Sequence, residues 1–312
     1  MSNNSAFYSS YQHTIAGKVS CAGIGLHSGK QVKMVLYPAD ADTGIQFVRL
    51  DVDEEKSVVA ANYLNVSKTT LGTTITNEYG VSVNTVEHLT AALWGMGIDN
   101  VIISLDAAEV PIMDGSSEPF VFLLECAGTK TLPTRRNAIE VIKPISVKEG
   151  NSTASITPYD GFMLDIAIEY AGSVIPTQRA IYDFSKQNFK NALCRARTFG
   201  FASEVEQLQA AGLARGGSLD NAIVVGEDSI LNPNGLRFTD EFVRHKALDC
   251  VGDYFLSGFY IRGAVKTSRP GHGINNKLLR TLLADKSAWR FASSAAQVGH
   301  NVYVQNSNFA AA

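Results

Sequence analysis

The sequence predicts an α+β protein built from two similarly ordered halves. Three patterns support this prediction: strand-like alternation dominates the first third, helical spacing follows it, and the same order begins again in the second half. The chain has 312 residues, which is long for one hydrophobic core and comfortable for two domains. We therefore expect a first domain at 1–128, a linker at 129–137, a second domain at 138–292 and a flexible tail at 293–312.

Strand patterns dominate the beginning of the chain. The segment from Gln31 to Tyr37 alternates between polar and apolar residues, and a turn at Thr43-Gly44 precedes a second strand from Ile45 to Leu50. These segments predict a sheet in the first third.

The period changes after Asn84, where apolar residues recur at helical spacing. Asn84 and Glu87 match a capping box, which places Glu87 and His88 in the first turn of the helix. Gly95 and Gly97 are expected to end it. A buried strand from Ile98 to Leu105 and an apolar helix from Glu118 to Cys126 complete the predicted first half.

The second half opens like the first. Gly150 leads a strand to Pro158, and Gly161 leads a strand from Phe162 to Tyr170. This arrangement resembles the strands that follow Gly29 and Gly44, so the two halves are expected to share an order of strands first and helices after. A long helix is predicted from Phe238 to Tyr254, and a further one from Asn276 to Ala284.

The composition is typical of a soluble globular protein, with 45% hydrophobic and 18% charged residues. The formal net charge of −3 gives no polycationic bias toward nucleic acid, and no apolar run reaches the length of a membrane span. The N-terminus has no secretory pattern, and the four cysteines are scattered without the spacing of a zinc ribbon or a disulfide framework. We therefore expect a cytoplasmic protein that neither binds nucleic acid nor inserts stably into a membrane.

Two distant segments together hold the residues of a hydrolytic metal site. His245 and Asp249 are four residues apart on one face of the predicted long helix, so one metal ion could bridge them. His88 is the candidate third ligand, and Glu87 beside it is a candidate base. Taken alone, a His-x-x-x-Asp pair is more often solvated, and a histidine like His88 more often belongs to a helix start than to a metal site.

His272 lies between two glycines, which leave its imidazole accessible and suit a general acid. Asp253, on the same helix face as Asp249, could orient that ring and favour its charged form. The alternatives are a simple turn histidine and a solvated carboxylate. His13, His27 and His300 lack such neighbours, and we assign them no role.

The segment from Arg195 to Phe201 combines charge, a hydroxyl group and two aromatic rings. Thr198 could donate to a developing oxyanion, and the aromatic residues could form a wall of the substrate site. A strand edge with a buried phenylalanine pair is the alternative. Lys246 and Arg269 could bind phosphate, although either could equally be a solvated cation.

Taken together, these residues match a known family. Over about Ala16 to Trp289, the chain resembles the UDP-3-O-acyl-N-acetylglucosamine deacetylases, bacterial zinc enzymes that catalyse the committed step of lipid A biosynthesis. The matching stretches are Gly23-Ile-Gly-Leu-His27, Ser82 to Leu89, Pro111-Ile-Met-Asp-Gly115, Arg195 to Phe201, Phe242-Val-Arg-His-Lys246, Gly271-His272 and Asn275-Asn-Lys-Leu-Leu279.

The resemblance implies a role for each candidate residue. One zinc ion per chain would be held by His88, His245 and Asp249, with Glu87 as general base and His272 as general acid. Thr198 would assist the oxyanion and Asp253 would support His272. The implied substrate contacts are Lys246 and Phe199, together with Phe201 and Leu213 in an insert at 199–217 that forms an apolar passage for the acyl chain, and Arg269 before the His272 loop.

The resemblance also implies a fold of two α+β domains of similar topology, with the helices sandwiched between two outer sheets and the site at the interface. The implied reaction is hydrolysis of the N-acetyl group of UDP-3-O-acyl-N-acetylglucosamine by a monomer. Two alternatives stay open: a zinc amidohydrolase acting on another N-acyl sugar, and a non-catalytic protein that binds nucleotide sugars or acyl chains. Arg269 stands where many members carry lysine, whose ammonium group is not equivalent to a guanidinium group. Arg215 adds a charge to the insert, so the preferred acyl length does not transfer.

Overall fold

The computed structural model describes residues 10–184 and 187–292, and the predicted tail at 293–312 lies outside the described residues. The first half contains, in chain order, β1 (Tyr11–Ile15), β2 (Val19–Ile24), β3 (Gln31–Pro38), β4 (Ile45–Arg49), β5 (Val58–Ala60), β6 (Val66–Lys68), β7 (Thr74–Thr76), β8 (Ser82–Val83), α1 (Glu87–Met96), β9 (Val101–Leu105), α2 (Glu118–Ala127) and β10 (Thr129–Arg135). The second half contains β11 (Ala138–Val141), β12 (Ile145–Glu149), β13 (Ser152–Thr157), β14 (Phe162–Ile168), β15 (Gln178–Asp183), α3 (Phe189–Ala192), β16 (Phe199–Phe201), α4 (Ala202–Ala210), β17 (Ile223–Val225), α5 (Glu241–Phe255), β18 (Tyr260–Ser268), α6 (His272–Ala284) and β19 (Trp289–Ala292).

The main sheet of the first half has the strand order β2-β3-β9-β4-β5. Its central strand, β9, pairs antiparallel with β3 and parallel with β4. Along β3 the side chains of Val32, Met34 and Leu36 are buried, while the residues between them are exposed or half-buried. Because successive side chains on a strand point to opposite faces, this sheet packs one face on the core and turns the other to solvent.

The second half repeats this arrangement around β18. Here β13 pairs antiparallel and β14 parallel with β18, and β12 and β15 flank them. The order β12-β13-β18-β14-β15 therefore matches the first sheet strand for strand, and β11 and β19 extend it beside the first residues of β18. The prediction of two similarly ordered α+β halves is confirmed.

The helices lie between the two sheets. α2 packs on β2 of the first sheet, whereas α5 packs on β14 and β15 and α6 packs on β12 and β13. α1 contacts both α2 and α5, so it joins the two helical layers. At Gly252 of α5 an added Cβ would lie only 2.1 Å from the carbonyl oxygen of Glu87, so glycine permits the two helix backbones to approach closely.

The capping box predicted for α1 is wrong. The side-chain oxygen of Asn84 accepts a hydrogen bond from the Thr74 hydroxyl, and the Glu87 carboxylate accepts one from the backbone N–H of Thr73. Both side chains are thus committed to tertiary contacts and leave the helix start without a side-chain cap. Of the two glycines predicted to end the helix, Gly97 does so in a left-handed conformation with φ of 76°, whereas Gly95 lies inside α1.

Several element boundaries also differ from the predictions. α5 begins at Glu241 rather than Phe238, and α6 begins at His272 rather than Asn276. The strand predicted from Ile98 begins later, because the backbone N–H of Ile98 still closes the carboxyl end of α1.

The predicted linker is not irregular throughout, since most of it forms β10, which pairs antiparallel with β1. The domain boundaries themselves stay predictions. Within residues 10–184 and 187–292, no helix is long and apolar enough to cross a membrane.

Candidate metal centre and its surroundings

Helices α1 and α5 bring three candidate metal ligands together. His88 lies in the first turn of α1, while His245 and Asp249 lie one turn apart on α5. One ligand atom from each residue falls within 4.8 Å of the other two, and all three residues are at most 4% exposed. The Nε2 atoms of His88 and His245 are 3.6 and 3.3 Å from Oδ1 of Asp249.

The neighbours of these ligands leave the metal-facing atoms available. The backbone carbonyl of Ala196 lies 3.0 Å from Nδ1 of His245, so that nitrogen carries the proton and Nε2 keeps its lone pair. Burial lowers the pKa of His245 to about 3, which keeps the ring neutral as a ligand must be. Lys246 donates to Oδ2 of Asp249 at 2.7 Å, whereas the buried Oδ1 has no hydrogen-bond partner among the residues that the structure describes.

The unpartnered Oδ1 of Asp249 indicates whether the site fits a cation. A buried oxygen without a donor costs free energy unless another positive group satisfies it. Two imidazole nitrogens and one carboxylate oxygen form the donor set of a catalytic divalent metal site. The residues present therefore fit a metal ion.

Glu87 lies beside this centre and is almost fully buried. Its Oε2 accepts a hydrogen bond from the backbone N–H of Thr73 at 3.0 Å, and its Oε1 is 3.8 Å from Nε2 of His272. Burial raises the pKa of the Glu87 carboxyl, and the charges of His272 and His88 only partly oppose that effect. A carboxylate in this position is a competent proton acceptor.

His272, at the start of α6, faces Glu87 from the second half. Its Nδ1 is 2.8 Å from Oδ2 of Asp253, which also accepts from the Asn275 side chain at 2.8 Å. Burial by itself favours the neutral ring, but Asp253 and Glu87 outweigh it and raise the pKa of His272 to about 9. The imidazole is therefore protonated at neutral pH, and its Nε2–H points toward the side of the site that holds Glu87.

Thr198 precedes β16 and lines a cavity beside His245. Its segment is fixed on both sides, since the N–H of Thr198 donates to the carbonyl of Gly115 at 2.8 Å and its carbonyl accepts from Ile223 at 2.8 Å. The preceding residue, Arg197, forms a buried ion pair with Glu241, with its backbone N–H and Nε both bonded to Oε1 at 3.0 and 2.9 Å. This ion pair anchors the segment that carries Thr198 to the start of α5.

The cavity has a volume of about 600 Å³ and is bounded by β16, α4, β17 and two loops of the first half. Lys246 and His245 lie in its lining, as do the rings of Phe199, Phe201 and Tyr170. The ring centroids of Phe199 and Phe201 are 5.6 and 5.8 Å from that of Tyr170. An aromatic and aliphatic wall thus leads away from the metal centre.

Two of the sequence-predicted substrate residues lie apart from this cavity. Leu213 is not among the residues that line it, and its backbone N–H instead closes the end of α4 by bonding to Leu208. Arg269 pairs with Glu169 at 2.8 Å. The other candidate residues are brought together around the metal centre and the cavity.

Sequence reasoning missed several residues that hold the site in place. Thr73 and Asn275 bind the carboxylates of Glu87 and Asp253, and the Arg197–Glu241 pair fixes the neighbouring segment. Asn275 follows His272 by three residues, so its helical spacing was an available signal. His27, to which no role was assigned, lines the cavity, and its Nε2 is 3.1 Å from the carbonyl oxygen of Leu71.

Comparison with known proteins agrees with this geometry. A family profile described as UDP-3-O-acyl N-acetylglycosamine deacetylase matches residues 12–284. A curated UDP-3-O-acyl-N-acetylglucosamine deacetylase of Vibrio cholerae serotype O1 (strain ATCC 39541) is 46% identical over 293 residues, which cover 93% of this chain and 96% of the relative. Proteins of the same name from Histophilus somni and Pasteurella multocida are 48% and 47% identical over 284 residues, 90% of this chain and 93% of each relative. The chain therefore belongs to the UDP-3-O-acyl-N-acetylglucosamine deacetylase family.

Proposed function

We propose that this protein hydrolyses the N-acetyl group of UDP-3-O-acyl-N-acetylglucosamine, giving acetate and UDP-3-O-acyl-glucosamine for lipid A biosynthesis. Family membership supports the substrate, which the names of the relatives contain. The single observation that carries the reaction type is the buried His88, His245 and Asp249 group next to the facing Glu87 and His272 side chains. Metal-dependent amide hydrolysis uses a cation, a base and an acid around one point.

We propose that the three ligands hold one zinc ion per chain. The neutral ring of His245 and the unpartnered Oδ1 of Asp249 support this choice, since zinc prefers imidazole and carboxylate ligands and keeps a further position open in catalytic sites. Zinc there would polarise the amide carbonyl and make water acidic enough to lose a proton near neutral pH. Iron(II) is another ion that this donor set accepts, and metal analysis of purified protein distinguishes the two.

Glu87 and His272 would divide the proton transfers. The Thr73 amide holds Oε2 of Glu87, and the other oxygen faces His272, so Glu87 would accept the proton of the attacking water. His272 is positively charged at neutral pH and would donate its Nε2 proton to the departing sugar nitrogen. Asp253 would hold the His272 ring in place and stabilise its charge.

The remaining predicted residues would bind or polarise the substrate. Thr198 is proposed to donate a hydrogen bond from its hydroxyl group to the oxyanion. Lys246 and Phe199 are proposed to contact the substrate from the cavity lining. Phe201 is proposed to contact the acyl chain in the same cavity, where each buried methylene contributes about 0.8 kcal/mol. Leu213 and Arg269 stay proposed contacts, although neither lines that cavity.

A deacetylation assay with metal analysis tests the proposal. Acetate release is measured with UDP-N-acetylglucosamine carrying or lacking the 3-O-acyl chain, on protein whose zinc and iron contents are known. We expect rapid release only from the acylated substrate and about one zinc ion per chain. Equal rates on both substrates indicate an amidohydrolase of another N-acyl sugar, and binding without acetate release indicates a non-catalytic binding protein.

The expectations of a monomer and of a cytoplasmic location stay proposals. Light scattering during size-exclusion chromatography measures the first, and fractionation of cells followed by immunoblotting measures the second. A dimer or an enrichment in the membrane fraction would contradict them.

A further inference from the structure

Thr73 contacts both of the carboxylates that surround the proposed proton transfers. It lies just before β7, is 1% exposed and comes from the first half. Its backbone N–H donates to Oε2 of Glu87 at 3.0 Å, and its hydroxyl donates to Oδ1 of Asp253 at 2.6 Å. A single residue thus binds the carboxylate of the base and the carboxylate behind the acid.

The hydroxyl of Thr73 completes the hydrogen bonding of the Asp253 carboxylate. Oδ2 of Asp253 already faces Nδ1 of His272 and the side-chain N–H of Asn275, each at 2.8 Å. The bond from Thr73 to Oδ1 fixes the other end of the same carboxylate. Because a carboxylate held at both oxygens cannot turn about its terminal torsion, the His272 ring that it supports is also held in one orientation.

Anchoring of the loop does not require this hydroxyl. The carbonyl of Thr73 accepts the backbone N–H of Val86 at 3.2 Å, so main-chain bonds already attach Thr73 to the start of α1. The hydroxyl instead reaches Asp253 on α5, a residue of the other half. Its bond therefore connects α5 to the loop that holds Glu87.

We propose that Thr73 is a positioning residue that sets the separation between Glu87 and His272, an inference that rests on the proposed deacetylation. Nε2 of His272 and Oε1 of Glu87 are 3.8 Å apart, which is too far for a direct hydrogen bond and leaves them facing a common reacting group. Productive proton transfer needs each group within hydrogen-bond reach of that group. Thr73 binds Glu87 directly and His272 through Asp253, so a single residue holds both groups.

The test compares Thr73→Val, which keeps the shape and the backbone bond but loses the hydroxyl, with Thr73→Ser, which keeps the hydroxyl. Because a hydrogen bond to a charged group is lost, we expect Thr73→Val to lower kcat about ten- to a hundredfold. KM should change by less than about threefold, since ground-state binding is untouched. Thr73→Ser should restore kcat to within a few fold of the unaltered enzyme.

A second measurement separates positioning through Asp253 from a general structural role. Thr73→Val is introduced into Asp253→Ala, where we expect almost no further loss of kcat because the acceptor is gone. Equal losses in both backgrounds, or unchanged kcat in Thr73→Val alone, overturn the inference.

The matched control is Thr267→Val. Thr267 is 2% exposed, and its hydroxyl donates to the backbone carbonyl of Thr153 at 3.1 Å rather than to a catalytic carboxylate. It should lower the melting temperature about as much as Thr73→Val while keeping kcat; a fall in kcat as large as that of Thr73→Val overturns the inference. If the unaltered enzyme releases no acetate, the proposed function itself fails, whereas an active unaltered enzyme with an equally active Thr73→Val variant overturns only the positioning role.

Discussion

The two halves of the molecule share one strand order but supply different parts of the site. α1 and α5 occupy equivalent places, each preceding the central strand of its sheet. In α1 the functional residues, Glu87 and His88, are the first two of the helix, whereas in α5 His245, Asp249 and Asp253 follow one another at four-residue intervals. Equivalent positions in the fold therefore carry different chemistry.

The residues of α1 and those of α5 are held in different ways. Side chains four residues apart inside a helix share one face, so the α5 backbone places all three in a row, and outside groups such as Thr73 and Ala196 only fix their orientation. Residues in a first turn depend on their surroundings, and Glu87 is held by the Thr73 amide from a neighbouring loop. We infer that the second half mainly fixes the metal and the acid, and that the first half mainly places the base.

Removal of a proposed metal ligand from α5 should have the largest effect on activity. Asp249→Ala should reduce bound zinc to background and lower kcat/KM by about a thousandfold or more, because several kcal/mol of charge stabilisation disappear. Metal analysis and acetate release measure the two effects. Asp240→Ala is the matched control, since Asp240 immediately precedes the same helix but pairs with Arg244 at 2.6 Å. Full zinc occupancy in Asp249→Ala would contradict the ligand assignment.

Removal of the base from α1 should separate proton transfer from metal binding. Glu87→Ala is expected to keep zinc and to lower kcat about a hundred- to ten-thousandfold, the range for loss of general base catalysis. The exposed Glu78→Ala serves as control in the same half. Loss of the metal together with activity would show that Glu87 is a ligand, and near-normal turnover would show that another group is the base.

The pH dependence of turnover should report the acid of the second half. Because the pKa of His272 is raised to about 9, its proton is present at neutral pH and lost as pH rises through about 9, so kcat should fall there. Asp253→Asn removes the negative charge that favours imidazolium, and the alkaline limb should move to lower pH. Profiles of kcat against pH for both proteins measure this shift, and an unmoved limb would argue against His272 as the acid.

Loss of a side chain from the cavity wall should lower activity less than loss of a group at the metal centre. Leu208→Ala removes part of the cavity wall and should lower kcat/KM for the acylated substrate by about tenfold, from the lost burial of a few methylene groups. Leu213→Ala is measured beside it, because Leu213 is a proposed acyl contact that does not line the cavity. Kinetics over a series of acyl lengths measure both variants. A larger effect from Leu213→Ala than from Leu208→Ala would show that the acyl chain lies along Leu213 rather than along this cavity wall.

The order of elements was predictable because apolar periodicity is a local property. The strand alternation near Met34 and the helical spacing after Asn84 each identified an element, and their repetition identified the two halves. Boundaries were less predictable where a tertiary contact prevails over local preference. Asn84 and Glu87 carry the pattern of a capping box, yet their side chains bond to Thr74 and Thr73.

The candidate site divides in the same way. His245 and Asp249 were detectable from their spacing on one helix, His88 was the candidate third ligand because Glu87 lies beside it, and the family resemblance implied the same set. Thr73 could not be found, because its contact with Asp253 spans 180 residues and no periodicity encodes it. The Arg197–Glu241 pair was equally hidden, since its role depends on a segment meeting the start of α5.

Because Gly252 has no side chain, α1 and α5 meet so closely that their contact leaves no room for a larger residue. The α5 backbone rests directly on the carbonyl of Glu87, so a methyl group at Gly252 would force the two helices to shift. One residue of slip along a helix is about 1.5 Å, which is large compared with the few tenths of an ångström over which a metal–ligand distance varies. The missing side chain at Gly252 therefore lets α5 pack closely enough on α1 to keep His88 aligned with Asp249.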